Sequence, residues 1–594
     1  MSVEPRADRQ DSLISRLRAL VRGSAIYAPL RRARLARLTR KKGIYPDWRG
    51  LMAGETLRWG RALSSARGPR ILLATHLGLH FTANTVDSLL AVALTWRGAR
   101  VDIVFCDGVL PACQMIDHEL APNLDRFVRR GPQADFCAIC HAAGGRLYAP
   151  LALKTHDLSR HLSDLDRRAA TSRAARRAGG PLEPAPGDGT EEHAFAGALR
   201  FFGRSVLPDT APARAIAARY LAAADLAGQA ARRLLAREQY DIVIAHHGIY
   251  VPQGPMADAA RAAGARFVAW HASYRTGRLI FEHGDTYHRA MIDEPASRWA
   301  ARALSAEEEA ELDAYLRSRV VGSEDWITFQ RAGPQTRRVL EKALGLHFAI
   351  PTAVLIANVA WDARLHYSSS AYGEMIQWAI DTAKWFAARP EQQLIIRCHP
   401  GEVMSSPRAE DRLDDAVRAA FGELPANIAI VPPESDLNTY AIARASRVAL
   451  IYNTKMGVEL AARGMPVIVA GDAWIRGKGF SSDASSPAEY FALLEKSVRM
   501  PRLDDRQITL ARRYAYHFFF RRCMPIYCLD TEQGWPLCGL APDAATRSRP
   551  GGDAGLDAVC RGILDGAPFE YETPDSVSDA EPARTRMVSN ARSR

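Results

Sequence analysis

Four polar residues in the second half of the chain follow short apolar runs, and their side chains suit an anion. Arg397 and His399 come after one apolar run, and Asn453 and Thr454 come after a later one. Short runs rich in β-branched residues, bounded by polar, glycine or proline residues, indicate buried strands of a parallel sheet. The carboxyl ends of such strands form the ligand-binding edge of open α/β sheets. Guanidinium, imidazole, amide and hydroxyl groups at this edge predict a phosphate site.

Two further residues nearby, Gly457 and Lys478, are also predicted to bind the donor phosphate. Asn453 to Gly457 leads into a run of good helix formers, so Thr454 should lie where a helix with free backbone N–H groups begins. Lys478, in a glycine-rich segment, could close over a diphosphate leaving group; a solvated surface charge is the alternative. Taken singly, the four strand-end residues favour structural roles such as an ion pair, a buried histidine or a helix cap. Their common position at strand ends of one sheet favours the phosphate site.

The first half of the chain carries a second set of polar candidates. Asp107 follows a predicted strand and is a candidate base toward an acceptor hydroxyl; the alternative is a type I turn, which Asp-Gly commonly begins. His283 and Asp285, in a dense polar patch, are the other catalytic candidates. Metal coordination and backbone hydrogen bonding are alternatives for the histidines, and we favour sugar binding. The candidates for binding acceptor hydroxyls or rings are His80, His247, His271 and Tyr274.

Four cysteines are spaced in a way that is compatible with a structural zinc site. They are Cys106, Cys113, Cys137 and Cys140, of which the last two form a C-x-x-C pair. Free buried thiols are the alternative, and we favour them. With His141, the pair also matches the c-type haem attachment pattern, which we set aside because the sequence shows no export signal. No catalytic metal is predicted.

Alternating strand and helix patterns divide the chain into two α/β blocks. At 594 residues the chain is too long for one ordinary core. No G-x-G-x-x-G or Walker motif occurs, so neither a dinucleotide site nor an NTPase is predicted. The predicted segments are a basic helical leader (1–66), an N-terminal Rossmann-like domain (67–300) with an insertion or loop at 154–190, a helical bridge (301–345), a C-terminal Rossmann-like domain (346–504), a helix that packs back (505–540) and a disordered tail (541–594).

The positive charge of the chain is concentrated at its N-terminus. Residues 1–50 hold 13 Lys or Arg against 4 Asp or Glu, in a chain of formal net charge +12. Residues 11–42 combine apolar residues at helical spacing with arginines, which predicts contact with an anionic membrane surface; a solvated tail is the alternative. No nucleic-acid partner is predicted. Without an apolar run of membrane-spanning length or a secretory signal, we expect a cytoplasmic protein at the inner face of the membrane.

Short motifs along the chain resemble those of bacterial capsule-polysaccharide glycosyltransferases, the group that includes the Kdo transferases of capsule assembly. The resemblance spans about residues 70–530. A His-Pro pair with a downstream hydroxyl pair also marks bacterial sialyltransferases, where they hold the phosphate of a CMP-sugar; this chain has Asn453-Thr454 in place of two hydroxyl residues. The motifs are R-x-H-P (397–400), Y-N-T-K-x-G-V-E (452–459), G-x-P-V-I (464–468), G-I-Y-V-P-Q-G (248–254), W-H-x-x-Y-R (270–275) and H-G-D-T-Y-H (283–288).

The resemblance implies two doubly wound Rossmann-like domains facing across a cleft, the GT-B arrangement. It also implies transfer of a sugar from a nucleotide-activated donor, with CMP-linked sugars as candidates, to a capsule polysaccharide or glycolipid. The predicted phosphate residues would stabilise the departing phosphate, and Glu459 would hold ribose hydroxyls. We expect no metal requirement, with the nucleotide sugar as co-substrate. The alternatives are a nucleotide-sugar epimerase, a non-catalytic capsule assembly or export protein, and polyol-phosphate transfer from a CDP-linked donor.

Overall fold

The computed structural model describes residues 27–185, 187–330, 332–367, 369–497, 500–532 and 538–572. Its strands form two large sheets and one small hairpin. The strands are β1 (Arg70–His76), β2 (Arg100–Phe105), β3 (Lys154–Asp157), β4 (Ile242–His246), β5 (Arg266–Ala272), β6 (Arg278–His283), β7 (Thr352–Ile356), β8 (Gln393–Arg397), β9 (Ile428–Val431), β10 (Val448–Ile451), β11 (Val467–Val469), β12 (Ser482–Asp483), β13 (Met524–Pro525), β14 (Leu529–Asp530) and β15 (Gly539–Leu540).

Both large sheets have the strand order of doubly wound folds. The first runs β13-β6-β5-β4-β1-β2-β3. In it β1 to β5 are parallel, β6 is antiparallel to β5, and β13 at the edge is antiparallel to β6 and so runs in the same direction as β1 to β5. The second runs β12-β11-β10-β7-β8-β9 and is parallel throughout. In such sheets the ligand crevice opens beside the strands where the winding reverses, here β1/β4 and β7/β10. The structure confirms the predicted class of two Rossmann-like domains.

Helices cover both faces of each sheet because successive strand residues point to opposite faces. In β1, Leu72 faces the cluster built around the long helix Ala211–Glu238, while Ile71 and Leu73 face the helix Phe81–Trp96. The α-helices are Tyr27–Leu38, Trp48–Leu51, Thr56–Ser65, Phe81–Trp96, Leu124–Arg130, Cys137–Tyr148, Asp164–Ala178, Gly189–Phe202, Ala211–Glu238, Gln253–Ala262, Tyr287–Ile292, Ala306–Ser318, Arg337–Leu344, Met375–Ala387, Gly401–Met404, Leu413–Phe421, Thr439–Ala445, Met456–Ala461, Pro487–Ser497, Asp505–Tyr516, Ala544–Arg547 and Ala554–Asp565.

The chain crosses back from the second domain to the first. Helix Asp505–Tyr516 continues through the π-helical turn His517–Arg522 into β13, which pairs with β6 of the first sheet. The fully buried Arg522 lies 3.1 Å from a carboxylate oxygen of Glu294 and also pairs with Glu282. These contacts tie the segment that returns from the second domain to the first domain.

Two predicted segments differ from the structure. The tail predicted to be disordered from 541 forms helices up to Asp565, because Leu556, Val559 and Ile563 recur at helical spacing and are fully buried beside the first sheet. The part of the tail from 573 to 594 lies outside the described residues. The predicted insertion at 154–190 begins with β3, which pairs with β2.

The basic leader is described only from residue 27 onward. There, helix Tyr27–Leu38 packs on the first domain, with Arg31 Nη2 lying 3.3 Å from Asp135 Oδ2. Residues 1–26, which hold part of the predicted membrane-binding segment, lie outside the described residues. Within the described part of the chain, no helix combines the length and apolar character needed to cross a membrane.

Candidate functional site

A cavity of about 360 Å³ lies between the domains at the carboxyl ends of β7, β8 and β10. We call it the basic cavity, because Arg319, Arg397 and Lys455 line it and Asp362 is the one carboxylate among its described lining residues. The first domain contributes aromatic side chains, among them Tyr274. This distribution of charge suits an anionic ligand.

His399 enters this cavity as a neutral hydrogen-bond donor. Its Nδ1 accepts a hydrogen bond of 2.9 Å from the Gly401 N–H, so the ring proton is on Nε2. Burial, with the charges of Arg397 and Lys455, lowers the pKa of His399 to about 4. The side chain can therefore donate to a phosphate oxygen without changing its charge near neutral pH.

Arg397 lines the basic cavity, but its fork is largely engaged by the protein. Its guanidinium donates to the carbonyl oxygens of Pro432 at 2.7 Å and Ser435 at 3.4 Å, and to Thr439 Oγ1 at 3.2 Å. These bonds fix the loop between β9 and the helix Thr439–Ala445. The positive charge of Arg397 still faces the cavity, but its Nε, Nη1 and Nη2 atoms each donate a hydrogen bond to the protein.

The turn after β10 supplies the amide, hydroxyl and ammonium groups of the site. Asn453 Oδ1 is buried and has no hydrogen-bond partner among the described residues, and Thr454 Oγ1 lies 3.4 Å from the Met456 N–H. The helix begins at Met456, close to the predicted position. Lys455, which was not among the predicted site residues, lies over the Tyr274 ring with its Nζ 3.8 Å from the ring centre. Burial and the nearby Arg319 lower the pKa of Lys455 to about 7.

Glu459 does not line the cavity, and its predicted contact with ribose is therefore not supported. Its side chain is fully buried behind Lys455. Arg319 donates to both carboxylate oxygens at 3.3 Å, Lys455 Nζ lies at 3.2 Å and the Tyr440 hydroxyl donates at 2.6 Å. Burial would raise the pKa of Glu459, but Arg319, Lys455 and Tyr440 together lower it to about 2. The carboxylate organises the cations of the cavity.

Gly457 and Lys478 contact other parts of the protein and do not line the basic cavity. A Cβ at Gly457 would lie 2.7 Å from the Cδ1 atoms of both Ile451 and Ile475, so the glycine allows close helix packing. Lys478 is buried, and its Nζ donates to the carbonyl oxygen of Ile292 at 2.9 Å and to that of Glu294. Neither residue lines the basic cavity.

The three predicted catalytic residues of the first domain lie away from the basic cavity. Asp107 accepts a hydrogen bond of 3.2 Å from the Ser159 N–H. His283 lies at the opposite edge of the sheet, because β6 runs antiparallel and pairs His283 with Val268 near the start of β5. Its Nε2 bonds the Ala567 carbonyl oxygen at 3.0 Å. Asp285 follows β6 at the same edge.

Asp285 lies 3.6 Å from Arg261 and His283 stacks on Phe569 at 4.4 Å, so both contact neighbouring protein groups.

The predicted acceptor residues divide into two groups. His271 and Tyr274 line the basic cavity, and His271 stacks on Tyr287 at 4.5 Å.

His80 and His247 lie behind the cavity, packed around His246. The ring centres are 4.8 Å apart for His80 and His246, and 4.3 Å apart for His246 and His247. Burial lowers the pKa of each of these histidines. They are therefore neutral near pH 7. His80 also caps the helix Phe81–Trp96, because its Nδ1 accepts a hydrogen bond of 3.2 Å from the Ala83 N–H.

Of the four predicted zinc cysteines, Cys106 follows β2, Cys137 and Cys140 lie in the first turn of helix Cys137–Tyr148, and Cys113 is close enough to these three for them to help raise its pKa, which burial raises most. Burial is the main reason that the pKa of Cys137 and of Cys140 rises to about 12. Among the described residues, their sulfur atoms do not form a set of three or more within 4.8 Å of one another. Free buried thiols stay the favoured prediction and structural zinc the alternative.

No protein-family model matches the sequence, and no curated protein matches it. Among solved structures, the chain is similar to the KpsC beta Kdo 2,4 transferase of Thermosulfurimonas dismutans, with 15% identity, a TM-score of 0.32 and coverage of 52% of this chain and 87% of that chain. The trehalose 6-phosphate synthase of Burkholderia multivorans gives 12% identity, a TM-score of 0.30 and coverage of 76% and 95%. A structure of S. aureus MnaA with UDP has 9% identity and a TM-score of 0.26, and the match covers 75% of this chain and 90% of that chain. These values are low, so the fold assignment rests on the strand orders and the site on its own geometry.

Proposed function

We propose that this protein is a glycosyltransferase that moves a sugar from a nucleotide-activated donor to a capsule or other cell-surface glycan. The observation that carries the proposal is the basic cavity, where the carboxyl ends of β7, β8 and β10 bring cationic and hydrogen-bonding groups to one place between the domains. Three of the sequence motifs that resemble those of capsule glycosyltransferases, R-x-H-P, Y-N-T-K-x-G-V-E and W-H-x-x-Y-R, contribute residues to this cavity, as do Tyr287 and His288 of H-G-D-T-Y-H. A CMP-linked sugar is the first donor to test.

The groups of the basic cavity match the charge that develops on a departing nucleotide phosphate. His399 Nε2, the Thr454 hydroxyl and the Lys455 ammonium can donate to phosphate oxygens, while Arg319 and Arg397 add positive charge. Fixed donors of this kind stabilise a transition state without reorganisation. Because the cationic side chains of Arg319, Arg397 and Lys455 line the cavity and can offset the phosphate charge, we propose that transfer does not require a divalent metal.

The experiment is a thermal-shift panel of CMP, CDP, UDP, GDP and ADP on the wild type, on His399→Ala and on the control His141→Ala. His141 lies outside the cavity with a side chain that is 41% exposed. A nucleotide at a hundred times its Kd adds about 2.7 kcal/mol to the free energy of unfolding. We expect one nucleotide to stabilise the wild type and the control but not His399→Ala. If no nucleotide stabilises the folded wild type, the proposal is wrong.

We further propose that the reaction takes place in the cytoplasm at the inner face of the membrane, held there by residues 11–42. Arginines in this segment favour anionic lipid by about 1 kcal/mol each near the surface. Sedimentation with vesicles of phosphatidylglycerol, but not of phosphatidylcholine, is the expected result. Equal sedimentation of a chain that lacks residues 1–42 would show that the predicted segment is not responsible.

A further inference from the structure

A second cavity, of about 670 Å³, adjoins the basic cavity between the two domains. We call it the acidic cavity, because five carboxylates line it. Its only lining arginine is Arg364 among the described residues, and this arginine donates to the Ser205 carbonyl oxygen at 3.0 Å. The five carboxylates are those of Glu183, Glu192, Asp362, Glu374 and Asp472. One of them, Glu192, is paired with Arg289 at 3.1 Å, whereas the other four have no ion pair among the described residues, so the two cavities have opposite charge.

Asp362, Ala363 and Asn453 line both cavities, so ligands in the two cavities would meet there. Asp362 is exposed, and its Oδ1 accepts a hydrogen bond of 2.7 Å from the hydroxyl of the buried Tyr250. The same hydroxyl accepts from the Ala363 N–H at 2.8 Å, and Ala363 has a φ of +52°. Asp362 Oδ2 has no hydrogen-bond partner among the described residues. The carboxylate is therefore held in one orientation with one oxygen available.

Several buried polar atoms in the walls of the acidic cavity also lack a protein partner. These are the hydroxyl oxygens of Tyr367 and Tyr372 and the Oδ1 of Asn453, none of which has a hydrogen bond to a described residue. Buried polar groups in folded proteins are nearly always paired, so such atoms mark where a ligand or water completes the bonds. Carboxylates and phenol oxygens accept hydrogen bonds from hydroxyl groups. A neutral ligand with many hydroxyls fits this wall.

We propose that the acidic cavity binds the neutral, polyhydroxylated end of the acceptor glycan and that Asp362 is the base that takes the proton of the attacking hydroxyl. This inference rests on the proposed glycosyl transfer. In the step, the acceptor oxygen forms a bond to the anomeric carbon, and the bond from that carbon to the phosphate oxygen breaks. The electron pair leaves with the phosphate into the basic cavity, and the hydroxyl proton passes to the Asp362 carboxylate. The surrounding carboxylates repel an acidic sugar.

The specificity is tested with two matched probes, methyl β-D-glucopyranoside and methyl β-D-glucuronide, which differ by one carboxylate. Binding to the full chain with nucleotide present is measured by saturation-transfer NMR. We expect the neutral probe to bind at least tenfold more tightly. Glu183→Lys, an exposed change in the cavity wall, should narrow this ratio roughly tenfold, because it reverses one nearby charge. The exposed control Glu423→Lys, which lies outside both cavities, should not.

Tighter binding of the glucuronide, or no binding of either probe by protein that binds nucleotide, would overturn the assignment of a neutral acceptor. Loss of nucleotide binding itself would instead contradict the proposed function. The two failures are therefore distinguishable.

The base is tested with Asp362→Asn and a nucleotide sugar that the wild type consumes. General bases contribute about 10²–10⁴-fold to rate, so kcat should fall at least 100-fold while the nucleotide Kd changes less than threefold. The acidic limb of the pH profile of kcat/KM should disappear, and Asp362→Glu should restore part of the rate. Retention of rate and pH profile by Asp362→Asn would rule out this residue as the base.

Discussion

Replacing Glu459 with glutamine tests whether this carboxylate stabilises the protein or contacts a ligand. The carboxylate is fully buried and neutralises Arg319 and Lys455, so the isosteric amide leaves Lys455 without its counter-charge and Arg319 with only its pairing to Asp325. Removing one partner of a buried ion pair typically costs about 3–5 kcal/mol. For a cooperative unit of about 150–250 residues, each kcal/mol lowers the Tm by about 2–4 °C. We therefore expect Glu459→Gln to lower the Tm of the second domain by roughly 6–20 °C.

The assay is differential scanning calorimetry with a surface control and a compensating variant. Glu495→Gln is the control, because its carboxylate is 55% exposed and pairs only at the surface with Arg389; it should cost less than about 1 kcal/mol. Adding Lys455→Met to Glu459→Gln removes one uncompensated cation and should recover part of the Tm. If Glu459→Gln unfolds like the control but weakens nucleotide binding tenfold or more, Glu459 contacts the ligand and our assignment is wrong.

Three further predictions follow from buried groups. The pKa of Lys455 is about 7 in the free protein and should rise beside a bound phosphate, so above pH 7 the complex holds more protons than the free protein. Calorimetric titration should therefore show that nucleotide affinity falls as the pH rises above about 7. A pH-independent affinity would contradict this. Gly457→Ala should destabilise by about 1–3 kcal/mol in urea unfolding, because its Cβ would lie 2.7 Å from two isoleucine methyl groups, whereas Gly60→Ala has open space and should not. Leu556→Ala, fully buried in the C-terminal helix, should cost about 2–5 kcal/mol in the same assay; a change below about 0.5 kcal/mol would show that this helix does not belong to the core.

The strands of both sheets could be predicted because each is a short apolar run bounded by polar, glycine or proline residues. Their order follows from right-handed crossover connections through helices, which wind the chain outward from β1 and from β7 in two directions. The residues after β8 and β10 therefore reach the same crevice, as the sequence predicted. What a side chain does there depends on its neighbours, and the carbonyl groups that engage Arg397 come from a loop that the pattern does not position.

The sequence contains a feature that places His283 and Asp285 away from the cleft. Only five residues separate Ala272, the end of β5, from Arg278, the start of β6. A parallel crossover needs about a dozen residues or more, so β6 had to be antiparallel and its carboxyl end had to lie at the opposite edge of the sheet. His283 and Asp285 could therefore have been excluded from the cleft. Lys455 had a signal too, because it lies between Thr454 and the start of a helix in the predicted phosphate motif.

The hydrogen bond between Tyr250 and Asp362 joins the two domains at the point where the two cavities meet. Tyr250 belongs to the first domain and Asp362 to the second, so the carboxylate keeps its orientation only while the domains are closed. Opening of the cleft would remove both the orienting hydroxyl and the opposite wall of the basic cavity. A carboxylate that is oriented by the opposite domain cannot act as a base toward a ligand that only one domain holds.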